Sequence, residues 1–290
     1  MNLTRLKVLV AVLDSGSITA AAEQLGYTPS GVSRMMAALE EETGFSLLVR
    51  GHGGVVPTEN CRLLLPQFRQ LLHYEDNCRQ LVRSIRGIHT GSVRIGINYP
   101  CLFRPAEQQI RRFRKRFPGI TFHLKGGFAT DLVQDLCDHK LDLYVGSRRE
   151  GPFEWHSLQM DEMMAWVPAE SVYAQGPVTL EAFRTEPYID INPGRDVDNA
   201  RVLARAGIRP NRQMEAQESF EAFSMVEAGL GIAMNNGLNC QFHSPLVKVL
   251  PLDPPQYVEV GVAVLPDAAP ATKVFLQDFL TKSKGRPGRK

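Results

Sequence analysis

At 290 residues, 43% hydrophobic and 22% charged, the chain is too long for one ordinary core and too apolar to be disordered over most of its length. No apolar run approaches the ~18 residues a membrane-spanning helix needs, and Met1–Lys7 lacks the apolar stretch of a secretion signal, so the cytoplasm is the expected location. Net charge is +2, and the first 58 residues set Arg5, Lys7, Arg34 and Arg50 against Asp14, Glu23, Glu40, Glu41 and Glu42, so no bulk basic patch announces a nucleic-acid partner.

In chain order, Leu3, Leu6, Val10 and Leu13 form one apolar helical stripe that Gly16 stops. Ser17 suits the cap of a second helix, which runs through Ala20-Ala21-Ala22 to Leu25. Gly26 and Tyr27 make a turn, Thr28 caps and Pro29 opens a third helix, and Gly44 ends it after Thr43. Helix, short glycine turn, helix is the helix-turn-helix pattern. On the third helix Val32, Met36 and Leu39 face inward, leaving Ser30, Ser33, Arg34 and Ala37 outward. Hydroxyls and helix-terminal amides reach phosphates, and arginine reads guanine edges in a major groove. The same spacing also fits an ordinary three-helix core with a polar outer face. Phe45–Arg50 and Val55–Thr58 flank a Gly51-His52-Gly53-Gly54 turn and predict a β-hairpin, the wing of a winged helix.

The ordered segments Gly16-Ser17-Ile18-Thr19-Ala20-Ala21-Ala22-Glu23-Gln24-Leu25, Val32-Ser33-Arg34, Leu39–Gly44, Leu47–Arg50 and Pro57-Thr58-Glu59 resemble the N-terminal domain of LysR-type transcription regulators. The resemblance implies a protein that controls transcription from a double-stranded DNA operator, with Thr28, Pro29, Ser30, Ser33, Arg34, Ala37, Arg50, His52 and Gly53 as DNA contacts. Ala37, Gly53 and Val56 stand where basic residues are common in the family, so fewer phosphates are neutralised and a shallow salt dependence is expected.

From Thr58 to Arg86 one long helix is expected. Leu64, Phe68, Leu71, Glu75, Cys78, Val82 and Ile85 alternate steps of four and three, a heptad seam with one polar interruption, and Pro66 should bend or break its first turns. Such a helix packs either on its own domain or on a second chain. The resemblance implies the second, a homodimer through Leu64, Phe68, Leu71, Cys78, Val82 and Ile85, with homotetramers through the C-terminal domains.

Beyond a hinge at Gly87–Gly91, strands and helices alternate: strand Val93–Ile97, helix Ala106–Phe117 with the basic run Arg111–Arg116, strand Ile120–Leu124, helix Asp131–His139 and strand Leu141–Gly146. A second set has a strand near Met164–Val167, helices near Leu180–Phe183, Val197–Ala206 and Phe220–Ala228, and a strand Gly231–Met234. Val258–Leu265 and a helix Thr272–Lys282 return to the first half. Together with Val226–Ala233, this order resembles the two-lobed, periplasmic-binding-protein-like α/β sensor of the same family. The expected fold is thus α/β with a helix-rich winged helix-turn-helix N-terminal domain. The expected domains are 1–58 for DNA binding, 59–90 for the linker helix and hinge, 91–282 for effector sensing and 283–290 as a disordered basic tail.

Ligands of open α/β sheets bind outside the carboxyl ends of the strands. That rule points to Asn98, Tyr99, Pro100, Cys101, Phe128, Ala129, Thr130 and Ser147. The resemblance adds Asn192, Pro193, Glu218 and Ser219 on the other lobe. Glu218 would repel a carboxylate, favouring a neutral, cationic or hydroxyl-rich effector, or else it caps the following helix. Cys101 is either a reactive thiol near a helix start or an inert buried one. The five cysteines form no C-x-x-C pair and the seven histidines no H-E-x-x-H, so no metal or cofactor is expected. No nucleophile–base pair is visible, which disfavours an enzyme. A secreted solute-binding protein would need a signal.

Overall fold

The structure is a computed structural model and describes residues 1–51, 53–86 and 90–283. The chain forms two compact units, Met1–His89 and Thr90–Lys290. The predicted hinge residues Gly87–His89, the wing-tip His52 and the tail beyond Ser283 lie outside the described residues.

In the first unit α1 (Leu3–Ser15), α2 (Ile18–Leu25) and α3 (Pro29–Thr43) follow the expected bounds closely. Each start is capped: Asn2 Oδ1 accepts from the Thr4 amide at 2.8 Å, Ser17 Oγ from Ala20 at 3.3 Å and Thr28 Oγ1 from Gly31 at 3.1 Å. Gly26 closes α2 with φ 71°, the left-handed conformation the three-residue turn requires. Leu6, Leu9, Val12, Ala21, Val32, Met36 and Leu39 form the core. The hairpin of β1 (Leu48–Gly51) and β2 (Gly54–Pro57) is pinned at both ends. Glu40 Oε1 accepts from the Leu47 and Leu48 amides at 2.7 and 3.1 Å, and the Val55 amide donates to Gly16 O at 2.8 Å.

The long helix α4 (Glu59–Ile85) runs through Pro66 without a break. Pro66 and Arg62 are both exposed, so the carbonyl that the proline leaves without its helical donor belongs to the outer side of the helix. Here the structure corrects the expected dimer seam. Phe68 is 1% exposed inside the first unit's own core, and Leu64 packs against that core. Glu75, the supposed polar interruption, faces α1 and pairs with Lys7 Nζ at 2.6 Å and Arg79 Nε at 2.5 Å. Arg69 joins the same contact through Asp14 at 2.5 Å. A heptad row drifts by ~20° per repeat around a straight helix. The row Leu64–Ile85 therefore starts on the inner side of α4 and ends on the outer one. The stripe that stays outside is Leu63, Gln67, Leu71, Tyr74, Cys78, Leu81 and Ile85.

The second unit is built as β3 (Gly91–Ile97), α5 (Pro100–Arg116), β4 (Ile120–Gly126), α6 (Ala129–Cys137), β5 (Leu143–Ser147) and the 15-residue β6 (Glu154–Pro168). Then come β7 (Val178–Thr179), α7 (Ala182–Thr185), β8 (Tyr188–Ile191), α8 (Asp198–Arg205), β9 (Arg212–Ala216), α9 (Ser219–Glu227), β10 (Ala233–Asn236), β11 (Val247–Asp253), β12 (Tyr257–Val264) and α10 (Pro270–Ser283). One sheet runs β4-β3-β5-β12-β6-β11-β7, with β10 also on β6, while β8 and β9 pair in parallel.

Two lobes share β6. Its residues Glu154–Glu162 pair with β12 in the first lobe, whereas Met163–Pro168 pair with β10 and β11 in the second. The first lobe packs Val93, Ile95, Phe113, Val262 and Phe275 between sheet and helices. The second packs Met163, Phe183, Val202 and Met234 on one face and Trp166, Ile189 and Phe223 on the other. Helix α5 starts six residues before the expected Ala106, because Pro100 suits a first helical turn. On it Arg111, Arg112, Arg114 and Lys115 are exposed, and Arg116 pairs with Asp278 at 2.6 Å. Among the described residues no helix is long and apolar enough to cross a membrane.

Candidate functional site

Two places offer chemistry, one in each unit. In the first, the buried trio Val32, Met36 and Leu39 holds α3 so that Thr28, Pro29, Ser30, Arg34 and Ala37 stand exposed, with Ser33 half-buried beside them. Arg50 and Gly53 of the hairpin are exposed too. Thr28 Oγ1 lies 3.3 Å from Ser30 Oγ, so two hydroxyls sit together at the start of α3. This end of a helix favours anions, since its first amides lack intrahelical acceptors. Arg34, one turn further on, makes no ion pair among the described residues.

In the second unit a cleft of about 300 Å³ opens between the lobes. The first lobe lines it with Asn98, Tyr99 and Pro100 after β3, Gly127, Phe128 and Ala129 after β4, and Arg149 after β5. The second lines it with Ile191 and Asn192 at the end of β8, Asp196–Asn199 at the start of α8, and Gln217, Glu218 and Ser219 between β9 and α9. Asn235, Asn236 and Asn239 complete that wall. Most of these segments follow the carboxyl ends of parallel strands, as the topology rule requires. Asn192 takes a left-handed φ of 59°, an uncommon backbone state for a residue other than glycine.

Eight expected residues line the cleft: Asn98, Tyr99, Pro100, Phe128, Ala129, Asn192, Glu218 and Ser219. Four do not, and each is corrected for a definite reason. Ser147 is wholly buried as the last residue of β5, where its Oγ accepts from Arg149 Nη1 at 2.9 Å. Thr130 donates to Asp196 Oδ2 at 3.1 Å outside the lining. Pro193 lies one residue beyond the lining Asn192. Cys101 sits at the second position of α5, where burial, with Asp161 adding to it, pushes its thiol up to about 11. At neutral pH Cys101 is a thiol rather than the reactive thiolate. Glu218 occupies the N-cap of α9, and Glu221 Oε2 accepts from the Gln217 and Glu218 amides at 2.8 and 3.2 Å.

Residues that spacing did not flag hold the two lobes together. Asp198, at the first turn of α8, and Arg149 are each 6% exposed. Arg149 Nη1 donates to Asp198 Oδ1 at 3.1 Å and Nη2 to the Asp196 carbonyl at 2.9 Å. The Tyr99 hydroxyl donates to Asp198 Oδ2 at 2.5 Å, while Asn236 Nδ2 donates to Tyr99 Oη at 2.9 Å. Burial, then the Asp198 charge, raises the Tyr99 hydroxyl far above the usual phenol range, so it remains a donor. Behind this network Asp161 accepts from the Leu238 amide at 2.9 Å, and burial pushes its carboxyl up to about 6. At the mouth, the Arg195 guanidinium of the second lobe stacks 4.6 Å from the Phe128 ring of the first.

A helix-turn-helix with an outward polar face, followed by a two-lobed α/β unit with a polar cleft, defines a transcription regulator carrying an effector-binding domain. Residues 3–62 match the model of bacterial regulatory helix-turn-helix proteins of the lysR family, and residues 86–283 match the LysR substrate binding domain. The chain belongs to the LysR family of transcription regulators. It is 28% identical over 279 residues to the probable HTH-type transcriptional regulator LrrA of Synechococcus elongatus, covering 95% of this chain and 94% of that one. It is 33% identical over 200 residues to the HTH-type transcriptional regulator YeiE of Escherichia coli K12, covering 65% and 64%. Its fold is similar to that of a full-length OxyR variant from Pseudomonas aeruginosa, with a TM-score of 0.79, 18% identity and coverage of 98% and 95%. It is also similar to full-length CbnR complexed with its target DNA, with a TM-score of 0.62, 18% identity and coverage of 98% and 100%.

Proposed function

We propose that this chain is a bacterial, cytoplasmic regulator that reads a specific double-stranded operator as a homodimer or homotetramer, with DNA binding controlled by a small molecule held between the two sensor lobes. The observation that carries this reading is the α3 face. Val32, Met36 and Leu39 spend the helix's apolar side inward and leave Ser30, Arg34 and Ala37 free for a major groove. Thr28, Pro29, Ser33, Arg50, His52 and Gly53 are the accompanying contacts, of which His52 lies outside the described residues. At constant salt, Arg34→Ala weakens operator binding by about 1–3 kcal/mol without changing the circular dichroism spectrum. The check is a titration against sites recovered by pulling down genomic fragments, and an unchanged affinity takes base reading away from Arg34.

Pairing of two chains is assigned to the outer stripe of α4. Leu71 and Tyr74 are exposed, Leu81 is 53% and Ile85 78% exposed, and all four lie on one side of a helix of about 40 Å. Cys78 and Val82 border the stripe. Replacing Leu81 and Ile85 together with glutamate yields monomers in light scattering with the first unit's helical signal retained. Persistent dimers would move the contact elsewhere. Effector control follows if a molecule in the cleft binds one arrangement of the lobes better than another, since a ligand shifts an equilibrium only by its differential affinity.

A further inference from the structure

We infer that the cleft takes an uncharged, hydroxyl-rich small molecule about the size of one sugar ring; this deepens the effector reading above and rests on it. Arg149 is the cation among the residues lining the cleft; its Nη1 and Nη2 are spent on Asp198 Oδ1, Ser147 Oγ and the carbonyls of Arg148 and Asp196, and its Nε, which makes no hydrogen bond, lies 3.4 Å from Asp196 Oδ2. A carboxylate or phosphate entering here would find that cation already paired and would face Asp196, Asp198 and Glu218. The two aspartates offer an amine little, which leaves Glu218 as the carboxylate it would pair with. Asp198 is neutralised by Arg149, and Asp196 lies 3.4 Å from Arg149 Nε and 3.5 Å from Arg201 Nη1.

What the walls do offer is carboxamide. Asn98, Asn192, Asn199, Asn235, Asn236 and Asn239 all line the cleft. A carboxamide presents donor and acceptor side by side, which matches a hydroxyl that both donates and accepts. Part of this capacity is used internally and part is left over. Asn98 gives its oxygen to the Ser147 amide, and Asn199 gives its nitrogen to Tyr188, so each retains its other group. The Asn239 Oδ1 is buried with no hydrogen-bond partner in the structure and calls for a donor. Carboxylates add strong charge-assisted acceptors for O–H groups. Phe128, Ile191 and Pro100 supply the apolar patch that the C–H face of a ring requires. A cavity of ~150 Å³ is enough to hold benzene, so about 300 Å³ has room for one hydroxylated ring.

The experiment is calorimetry and thermal unfolding of the full chain with D-glucose, D-galactose, D-ribose and myo-inositol, alongside D-glucuronate, D-gluconate and D-glucosamine. The expected result is saturable heat and a raised unfolding temperature with a neutral probe. That affinity should fall ten-fold or more in Asn192→Asp and in Gln217→Leu, while Glu218→Arg gains affinity for glucuronate. Silence from every neutral probe overturns the proposal. Binding confined to the acids or to the amine overturns the neutral class and leaves the cleft as the effector site. Neutral binding that Asn192→Asp and Gln217→Leu both leave intact places the ligand elsewhere, and then the effector assignment falls as well.

Discussion

Replacing Asp198 with alanine lowers the stability of the second unit by about 3–5 kcal/mol, the usual cost of stranding one partner of a buried ion pair. The cost is high because Arg149 is 6% exposed and cannot recover its hydration without opening the lobes. Asp198 also accepts from Tyr99 and Asn236, so three donors lose their acceptor in one change. Tryptophan emission isolates the effect, because the chain's two tryptophans, Trp155 and Trp166, both belong to this unit. Denaturant titration of the full chain gives the number. The double change Arg149→Met with Asp198→Leu should recover most of the loss, since apolar replacement of both partners removes the uncompensated charge. A single-site loss under about 1 kcal/mol, the value of an exposed pair, would show that water reaches Arg149 freely.

Phe68→Ala should cost the first unit about 3–5 kcal/mol, as aromatic truncation in a packed core does. Phe68 is 1% exposed among Leu6, Leu9, Met36 and Leu72. It anchors α4 to the helix-turn-helix, so the variant should also bind DNA poorly at growth temperature. Far-ultraviolet circular dichroism during denaturation reads the loss, and light scattering of the folded fraction still reports dimers. The reverse pattern, unchanged stability with loss of dimers, would restore Phe68 to an interface between chains.

These two residues also mark where sequence reasoning succeeds and where it stops. The three helices and the wing were legible because their signals are local: Ser17 and Thr28 as caps, Gly26 and Gly44 as terminators, Pro29 at a first turn. The heptad on α4 was legible as a period but not as a direction. Spacing alone does not say which side faces the chain's own core, and the drift of the row moved Phe68 inward and Ile85 outward. In the second unit the strand-end rule found Asn98–Pro100, Phe128 and Ala129. It overshot at Cys101 and Thr130, where the backbone has already turned into α5 and α6. Tyr99, Arg149, Asp196, Asp198 and Asn236 meet through bonds that span 38 to 137 residues of chain, for which spacing holds no signal. The first half of β6 was missed because Glu154–Gln159 carries no regular apolar alternation, its place being set by β12.

The long strand β6 ties the two lobes covalently as well as through their sheet. Glu154–Glu162 complete one lobe and Met163–Pro168 the other, with no loop between them at which the chain divides. Deleting this stretch would take a strand from both lobes at once. Neither half can be excised by itself without taking part of β6 from the other.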